Sequence, residues 1–295
     1  MIQKEIRQHP SGPGYHVVDK EQENRISVVG LGWLGLPLAK RLADEGYSVT
    51  GTKRNVGHES SIACGQVKVV KLDLKGGYSL HPVESSLFSA DTLILTLPGS
   101  RVAEKALRTF SDIRYLVDQA REAGSRHIIF TSSTSVYGDA TGILTESSPV
   151  SAGTAGGAVM AETERWLLMQ KDICIDIIRL AGLTGPGRHP ARSLSGRKNL
   201  GQGEHSVNLV HQDDVITAIC LLIHSRGPGR LYNLCSPHHP SRREFYTRVC
   251  GLNDLPVPEF TAHLEREEGK IIDGSLICRK LGLKYSYLSL YDMPV

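Results

Sequence analysis

Nothing in the sequence spaces cysteines for a metal centre or a disulfide framework. The six (Cys64, Cys174, Cys220, Cys235, Cys250, Cys278) are scattered with no Cys-x-x-Cys pair, and several lie in apolar runs, where a thiol behaves as a small hydrophobe. No metal site is predicted, and a reducing cytoplasm is the expected location. Long apolar runs are missing too: the longest, Val215 to Ile223, is far short of the ~20 residues a membrane helix needs. Residues 1–24 are polar and hold no apolar core, so no signal peptide is expected. Charge of one sign is scarce. A formal +3, without basic runs interleaved with aromatics, argues against a nucleic-acid partner. What is there is ordinary for a soluble enzyme: 40% hydrophobic and 22% charged over 295 residues, enough for one large α/β domain or a nucleotide domain with a smaller companion.

Short apolar runs rich in β-branched residues occur at Ile26–Val29, Val67–Leu72, Thr92–Leu97, Ile128–Thr131 and Ile173–Ile178. Between them lie stretches of helical period, such as Leu34, Leu38, Leu42 with Ala39, Ala43, and the longer Arg101–Gly124. Strands alternating with helices, on connections too long for hairpins, predict a doubly wound parallel sheet covered on both faces. After about residue 182 the rhythm breaks at Gly185-Pro186-Gly187, and Arg188 to Gly203 is basic and irregular. One helix follows from Asp213-Asp214 to His224. Its two acids are read as helix-capping residues that suit the positive end of the dipole, because adjacent residues on a starting helix do not share a face.

The clearest chemistry is Gly30-Leu31-Gly32-Trp33-Leu34-Gly35. It follows a strand and opens an amphipathic helix, the context a dinucleotide loop requires. Gly30 permits the tight turn, Gly32 lets backbone approach a pyrophosphate, and Gly35 lets helix pack on strand. Pro37 sits near the first turn, where a missing N–H costs least. The next strand, Tyr47 to Thr52, ends in Thr52-Lys53-Arg54. NAD-preferring sites place a carboxylate there for the ribose 2′-hydroxyl, whereas two cations suit a 2′-phosphate, so NADP(H) is expected over NAD(H). Asp73, beside Leu74, is placed to accept from the adenine amino group, and Leu97-Pro98-Gly99 ends the fourth strand on the ligand-binding edge.

At Phe130-Thr131-Ser132-Ser133-Thr134-Ser135-Val136-Tyr137-Gly138 the chain resembles the extended short-chain dehydrogenase/reductase family, as an atypical, NAD-dependent epimerase/dehydratase-like member. Arg179-Leu180, Gly185-Pro186-Gly187-Arg188, Asn208 to Asp214 and Tyr232-Asn233-Leu234 match further family blocks in order, and the resemblance covers essentially residues 25 to 290. It implies a Rossmann-type fold, a cofactor wall that includes Thr131 and Ser132, and substrate contacts from Arg188 and Asn208. It also implies a homodimer by analogy, through the helix that carries Trp166 and Leu167.

The family's mechanism uses a Ser and a Tyr-x-x-x-Lys pair, the Tyr as general acid/base. Ser133 fits the serine. The pair is absent: registering on Glu162 puts Thr154 and Ala158 in its place, and no tyrosine lies between Tyr137 and Tyr232. The nearest alternatives for proton handling are Tyr137 and His211, the latter suited to neutral pH, set against the stronger readings of Tyr137 as a packing residue after the strand and His211 as a structural or helix-entry residue. Arg188, Arg192, Arg197, Lys198, His189, His205 and His211 concentrate cations on the expected substrate side and suggest an anionic ligand, although Arg192, Arg197 and Lys198 read better as a basic, solvated loop.

The expectation is thus a flexible polar tail (1–24), a Rossmann domain (25–182 with 207–236) and a smaller C-terminal α/β substrate lobe (183–206 with 237–295). The function expected is an NADP(H)-binding oxidoreductase or epimerase-like enzyme acting on a nucleotide- or sugar-linked small molecule. The alternative is a non-catalytic NADP(H)-binding redox sensor or regulatory protein.

Overall fold

The computed structural model describes residues 25–56, 65–74, 87–97, 103–225, 227–261 and 269–295; the expected tail at 1–24 lies outside them. Strands β1 (Arg25–Val29), β2 (Ser48–Lys53), β3 (Lys68–Lys71), β4 (Thr92–Leu95), β5 (His127–Ser133), β7 (Cys174–Leu180) and β10 (Arg230–Leu234) form one sheet. Its order is β10-β7-β5-β4-β1-β2-β3, and each pairing in it is parallel. The order reverses between β1 and β4, which makes the carboxyl ends of those strands the crevice where open α/β sheets hold ligands. The apolar runs become strands because both faces are covered: every residue of β4 is buried, as are all of β5 but the last.

Helix α1 (Gly35–Asp44) buries Leu38, Ala39, Leu42 and Ala43, the expected stripe. Helix α2 (Ala103–Glu122) buries Ile113, Leu116, Val117 and Ala120 at helical spacing. Helices α3 (Ala155–Leu168) and α5 (Gln212–His224) complete the cover. Two small parallel ladders lie outside the main sheet, β6 (Gly142–Leu144) with β11 (Lys270–Ile272) and β8 (Gly182–Thr184) with β9 (Leu209–His211). With α4 (Pro190–Leu194), α6 (Arg242–Leu252) and α7 (Ser275–Leu281) they build the C-terminal part. A second apolar cluster there joins Ala191, Val207 and Leu209 to Phe245, Val249, Leu290 and Met293.

The entry to α5 differs from expectation. His211, not an aspartate, caps it, Nδ1 accepting from the Asp213 N–H at 3.3 Å. Asp214 is buried and its Oδ1 accepts from the Ser286 N–H at 2.7 Å. Asp213 alone keeps the expected dipole role, exposed in the first turn. Among the described residues no helix is long and apolar enough to cross a membrane.

Candidate functional site

The glycine loop is tied to the end of β2. Gly30 donates to Thr52 Oγ1 (3.0 Å) and Leu31 to Thr52 O (2.8 Å). Gly30 has φ +101°, and a Cβ on Gly35 would collide with Gly30 O and come within 2.9 Å of Thr96 Oγ1. These two glycines are required by the protein's own packing. Gly32 is not: a Cβ there meets no atom within 4 Å, so the space over it is open to a ligand. Helix α1 has no side-chain cap; its Leu36 N–H is taken by Gly32 O at 3.0 Å and Pro37 has none, so what it offers an anion is chiefly the positive end of its dipole. A dinucleotide pyrophosphate fits these features.

The loop forms one wall of a cleft of about 920 Å³ at the carboxyl ends of β1, β2, β3 and β4. Lys53, Arg54, Asp73, Leu74 and Leu97 line it, together with Gly30, Leu31, Gly32 and Thr52. Pro98 and Gly99 lie outside the described residues. Sequence reasoning missed the opposite wall, where α2 brings Lys105, Arg108 and Asp112, and it missed Asn55 and Thr96. The Thr96 hydroxyl bridges Val29 O (3.0 Å) and Gly30 O (2.9 Å), steadying the loop from the neighbouring strand. Only the helical period of Arg101–Gly124 hinted at α2, and no motif marked its cations.

Trp33 departs from its expected role. Its indole turns from the cleft to the 185–188 turn, donating to Pro186 O at 2.8 Å, with the Arg188 guanidinium 5.1 Å over the ring. Gln212 Nε2 donates to Trp33 O at 2.6 Å. Trp33 therefore clasps the glycine loop to the 185–188 turn. Leu34 and Gly35 belong to the start of α1 and do not line the cleft.

Thr131 and Ser132 are also occupied internally. Thr131 donates to Leu95 O (3.1 Å), and Ser132 donates to Glu164 Oε1 (2.5 Å). Glu164 is gripped by buried Arg179 through Nε at 3.0 Å and a terminal nitrogen at 2.7 Å. Arg179 also donates to the Tyr137 oxygen at 2.8 Å, while that phenol reaches Asn233 Oδ1 (2.7 Å) and Thr145 O (2.9 Å). Tyr137 is fully buried. Burial raises its pKa, although Arg179 works against the shift. The expected proton role of Tyr137 is corrected on this ground: the phenol is saturated with protein partners and sealed from ligand.

Ser133 is half-buried. It caps the 3-10 turn Thr134–Tyr137 by accepting from the Ser135 N–H at 3.1 Å. That bond uses an oxygen lone pair and leaves the hydroxyl proton for a ligand. Thr154 stands exposed as the N-cap of α3, accepting from Gly157 N–H at 3.1 Å, and Ala158 is exposed one turn on. Lys270, missed in the sequence, donates its ammonium proton to Gly138 O, beside the turn that follows Ser133. Burial lowers its pKa.

The basic segment does not gather into one patch. His189 is buried and caps α4, its Nδ1 accepting from Ala191 N–H at 3.2 Å. Burial, then Arg192, pushes its pKa down to about 4. Lys198 pairs with Glu259 at 3.2 Å. Asn208 is engaged within the protein: its amide donates to Lys270 O (2.9 Å) and accepts from Ile272 N–H (2.9 Å), bracing β11. His211 packs edge-on to Tyr287, and its Nε2 is buried with no hydrogen-bond partner among the described residues. The hydroxyl of Thr184, its register partner on β8, is in the same condition.

The profile of the NAD dependent epimerase/dehydratase family matches residues 26–235. Protein YeeZ of Escherichia coli (strain K12) is 42% identical over 272 residues, which cover 92% of this chain and 99% of YeeZ. Among solved structures, WbmG of Bordetella bronchiseptica in complex with NAD and UDP superposes with a TM-score of 0.72 at 17% identity, covering 92% of this chain and 91% of WbmG. MoeE5 in complex with UDP-glucuronic acid and NAD gives 0.70 at 19% identity, covering 89% and 94%. At such identities these two likenesses concern the fold.

Proposed function

The chain belongs to the NAD dependent epimerase/dehydratase family, and on that premise we propose that it binds NADP(H) and acts as an oxidoreductase or epimerase-like enzyme on an anionic, nucleotide- or sugar-linked small molecule. The observation that carries the reading is one cleft that holds both the open space at Gly32 and the cations Lys53 and Arg54. In this proposal the pyrophosphate lies over Gly32 at the start of α1, and Lys53 and Arg54 hold the 2′-phosphate. Asp73 accepts from the adenine amino group. When bound, such a cofactor supplies a hydride acceptor or donor.

The chain's own residues set the rest. Ser133 offers a hydroxyl proton to a reacting oxygen. His211 has Nδ1 engaged by Asp213 and Nε2 without a partner among the described residues, so Nε2 is the proposed atom for proton exchange with a ligand. Arg188, exposed at the clasped turn, is the proposed contact for the substrate's anionic group, and residues 183–206 with 237–295 are the proposed substrate lobe. WbmG with UDP and MoeE5 with UDP-glucuronic acid support a nucleotide-linked ligand by analogy.

A second reading, an NADP(H)-binding sensor without chemistry, is favoured by one observation: Thr154 and Ala158 replace the usual Tyr and Lys, and the nearby Tyr137 is sealed. Following NADPH absorbance against carbonyl and nucleotide-sugar panels separates the two. Turnover lost in Ser133→Ala and His211→Asn supports the enzyme. Tight NADPH binding without turnover on any panel member supports the sensor.

A further inference from the structure

At the opposite edge of the sheet, where the parallel strands begin, β5 and β7 bring His127 and Cys174 together as register partners, with Asp176 two residues along β7. The Cys174 sulfur, a ring nitrogen of His127 and a carboxylate oxygen of Asp176 lie within 4.8 Å of one another. His127 and Asp176 are wholly buried and joined by a 2.8 Å hydrogen bond from Nε2. With that proton on Nε2, Nδ1 is a lone pair, and no hydrogen-bond partner for it exists among the described residues. Cys174 is half-buried, at the amino end of β7.

We propose that Cys174 is a reactive thiol, activated by His127 and Asp176, and a site of covalent modification by peroxides or small electrophiles. The thiol proton, directed at Gly227 O in the resting state, moves to the His127 ring, one nitrogen of which lies within 4.8 Å of the sulfur. The thiolate then attacks a peroxide oxygen, an S–O bond forms and the O–O bond breaks. The departing hydroxide takes the imidazolium proton and leaves as water. Sulfur is oxidised by two electrons to a sulfenic acid and the peroxide is reduced by the same two.

The groups facing the cluster support this direction. Asp176 is fixed by Arg230 on β10 through Nε at 2.8 Å and a terminal nitrogen at 2.5 Å, and Tyr232 lies on the same strand. Both Asp176 oxygens are thereby engaged, which leaves it a poor candidate for a metal. Burial, the largest influence, and the Asp176 charge work against ionising Cys174, but His127 together with the Gly229 N–H outweighs them and the thiol falls below its ordinary value. Burial likewise opposes a charged His127, and Asp176 and Cys174 carry it upward. The other described cysteines go the opposite way: burial raises Cys220 to about 12, and raises Cys235, Cys250 and Cys278 as well. Cys278 is also half-buried, so it serves as an internal control for access.

The test is site-resolved mass spectrometry of the native full chain. Iodoacetamide labelling rates across pH 5.5–9 are expected to be on the order of tenfold faster at Cys174 than at Cys278 at pH 7. One equivalent of hydrogen peroxide followed by dimedone should tag Cys174. His127→Gln should slow Cys174 about tenfold and leave Cys278 unchanged. Equal rates at Cys174 and Cys278 in the unmodified protein, which need no variant to fold, would overturn the proposal. So would dimedone on other cysteines alone, or a folded His127→Gln protein that labels at the original rate.

Discussion

The indole N–H of Trp33 donates to the carbonyl oxygen of Pro186 at 2.8 Å, 153 residues away in sequence. The same ring carries the Arg188 guanidinium 5.1 Å above it. One side chain thus couples the glycine loop to the turn proposed to meet substrate. Trp33→Ala removes the hydrogen bond and the stacking together, and trypsin cleavage at Arg188 should accelerate severalfold in the folded protein. Trp33→Phe keeps the ring and should cost about 1 kcal/mol or less in a urea melt, the worth of one exposed hydrogen bond. An unchanged cleavage rate in the alanine variant would sink the clasp.

Gly32 and Gly35 should separate binding from folding. Gly32→Ala places a methyl group in open space, so its stability should stay within about 0.5 kcal/mol of the parent, while dinucleotide affinity drops at least tenfold. Gly35→Ala drives a Cβ into the Gly30 carbonyl and should lower stability itself. Calorimetry for binding and urea melts for stability check both. Undiminished binding in Gly32→Ala would remove the pyrophosphate from that spot.

The buried ladder Ser132–Glu164–Arg179–Tyr137–Asn233 is structural in this account. Glu164→Gln leaves the Arg179 charge, whose side chain is 4% exposed, without its counter-ion, for an expected loss of about 3–5 kcal/mol. Tyr137→Phe should cost about 1–3 kcal/mol and leave NADPH affinity and any turnover within about twofold. A Tyr137→Phe protein of unaltered stability that has lost turnover would return the phenol to the chemistry.

His189 gives a pH signature. Its folded pKa near 4 lies below the ordinary 6.5 because the ring is buried beside Arg192. Between those values the unfolded chain binds the extra proton, so stability is full above pH 6.5 and declines as pH falls toward 4. His189→Asn keeps an acceptor for the Ala191 N–H but does not titrate. Urea midpoints at pH 7 and pH 5 should fall less in the variant than in the parent. Parallel declines would show that His189 does not set this slope.

The fold was legible where a local pattern carries it. β4 and β5 read as apolar, β-branched runs because both faces of a parallel sheet are covered. The glycine loop read from its spacing between a strand and a helix, and Lys53-Arg54 from their place at a strand end, and all of Gly30, Gly32, Lys53 and Arg54 line the cleft. What escaped depends on partners far along the chain. Tyr137 is occupied by Asn233, 96 residues on, and by Arg179, 42 residues on. Asn208 is absorbed by β11, and Lys105 and Arg108 reach the cleft only because α2 crosses its far wall. No periodicity announces such contacts. His211 was singled out, but its capping of α5 depends on a rotamer that spacing does not specify.

Paired titrations of NADPH and NADH against the native protein decide the choice of cofactor. NADPH should bind at least tenfold tighter, about 1.4 kcal/mol, with the preference lost in Lys53→Ala/Arg54→Ala because NADPH weakens while NADH does not. NADH binding as tightly as NADPH, or more tightly, in the native protein would contradict it.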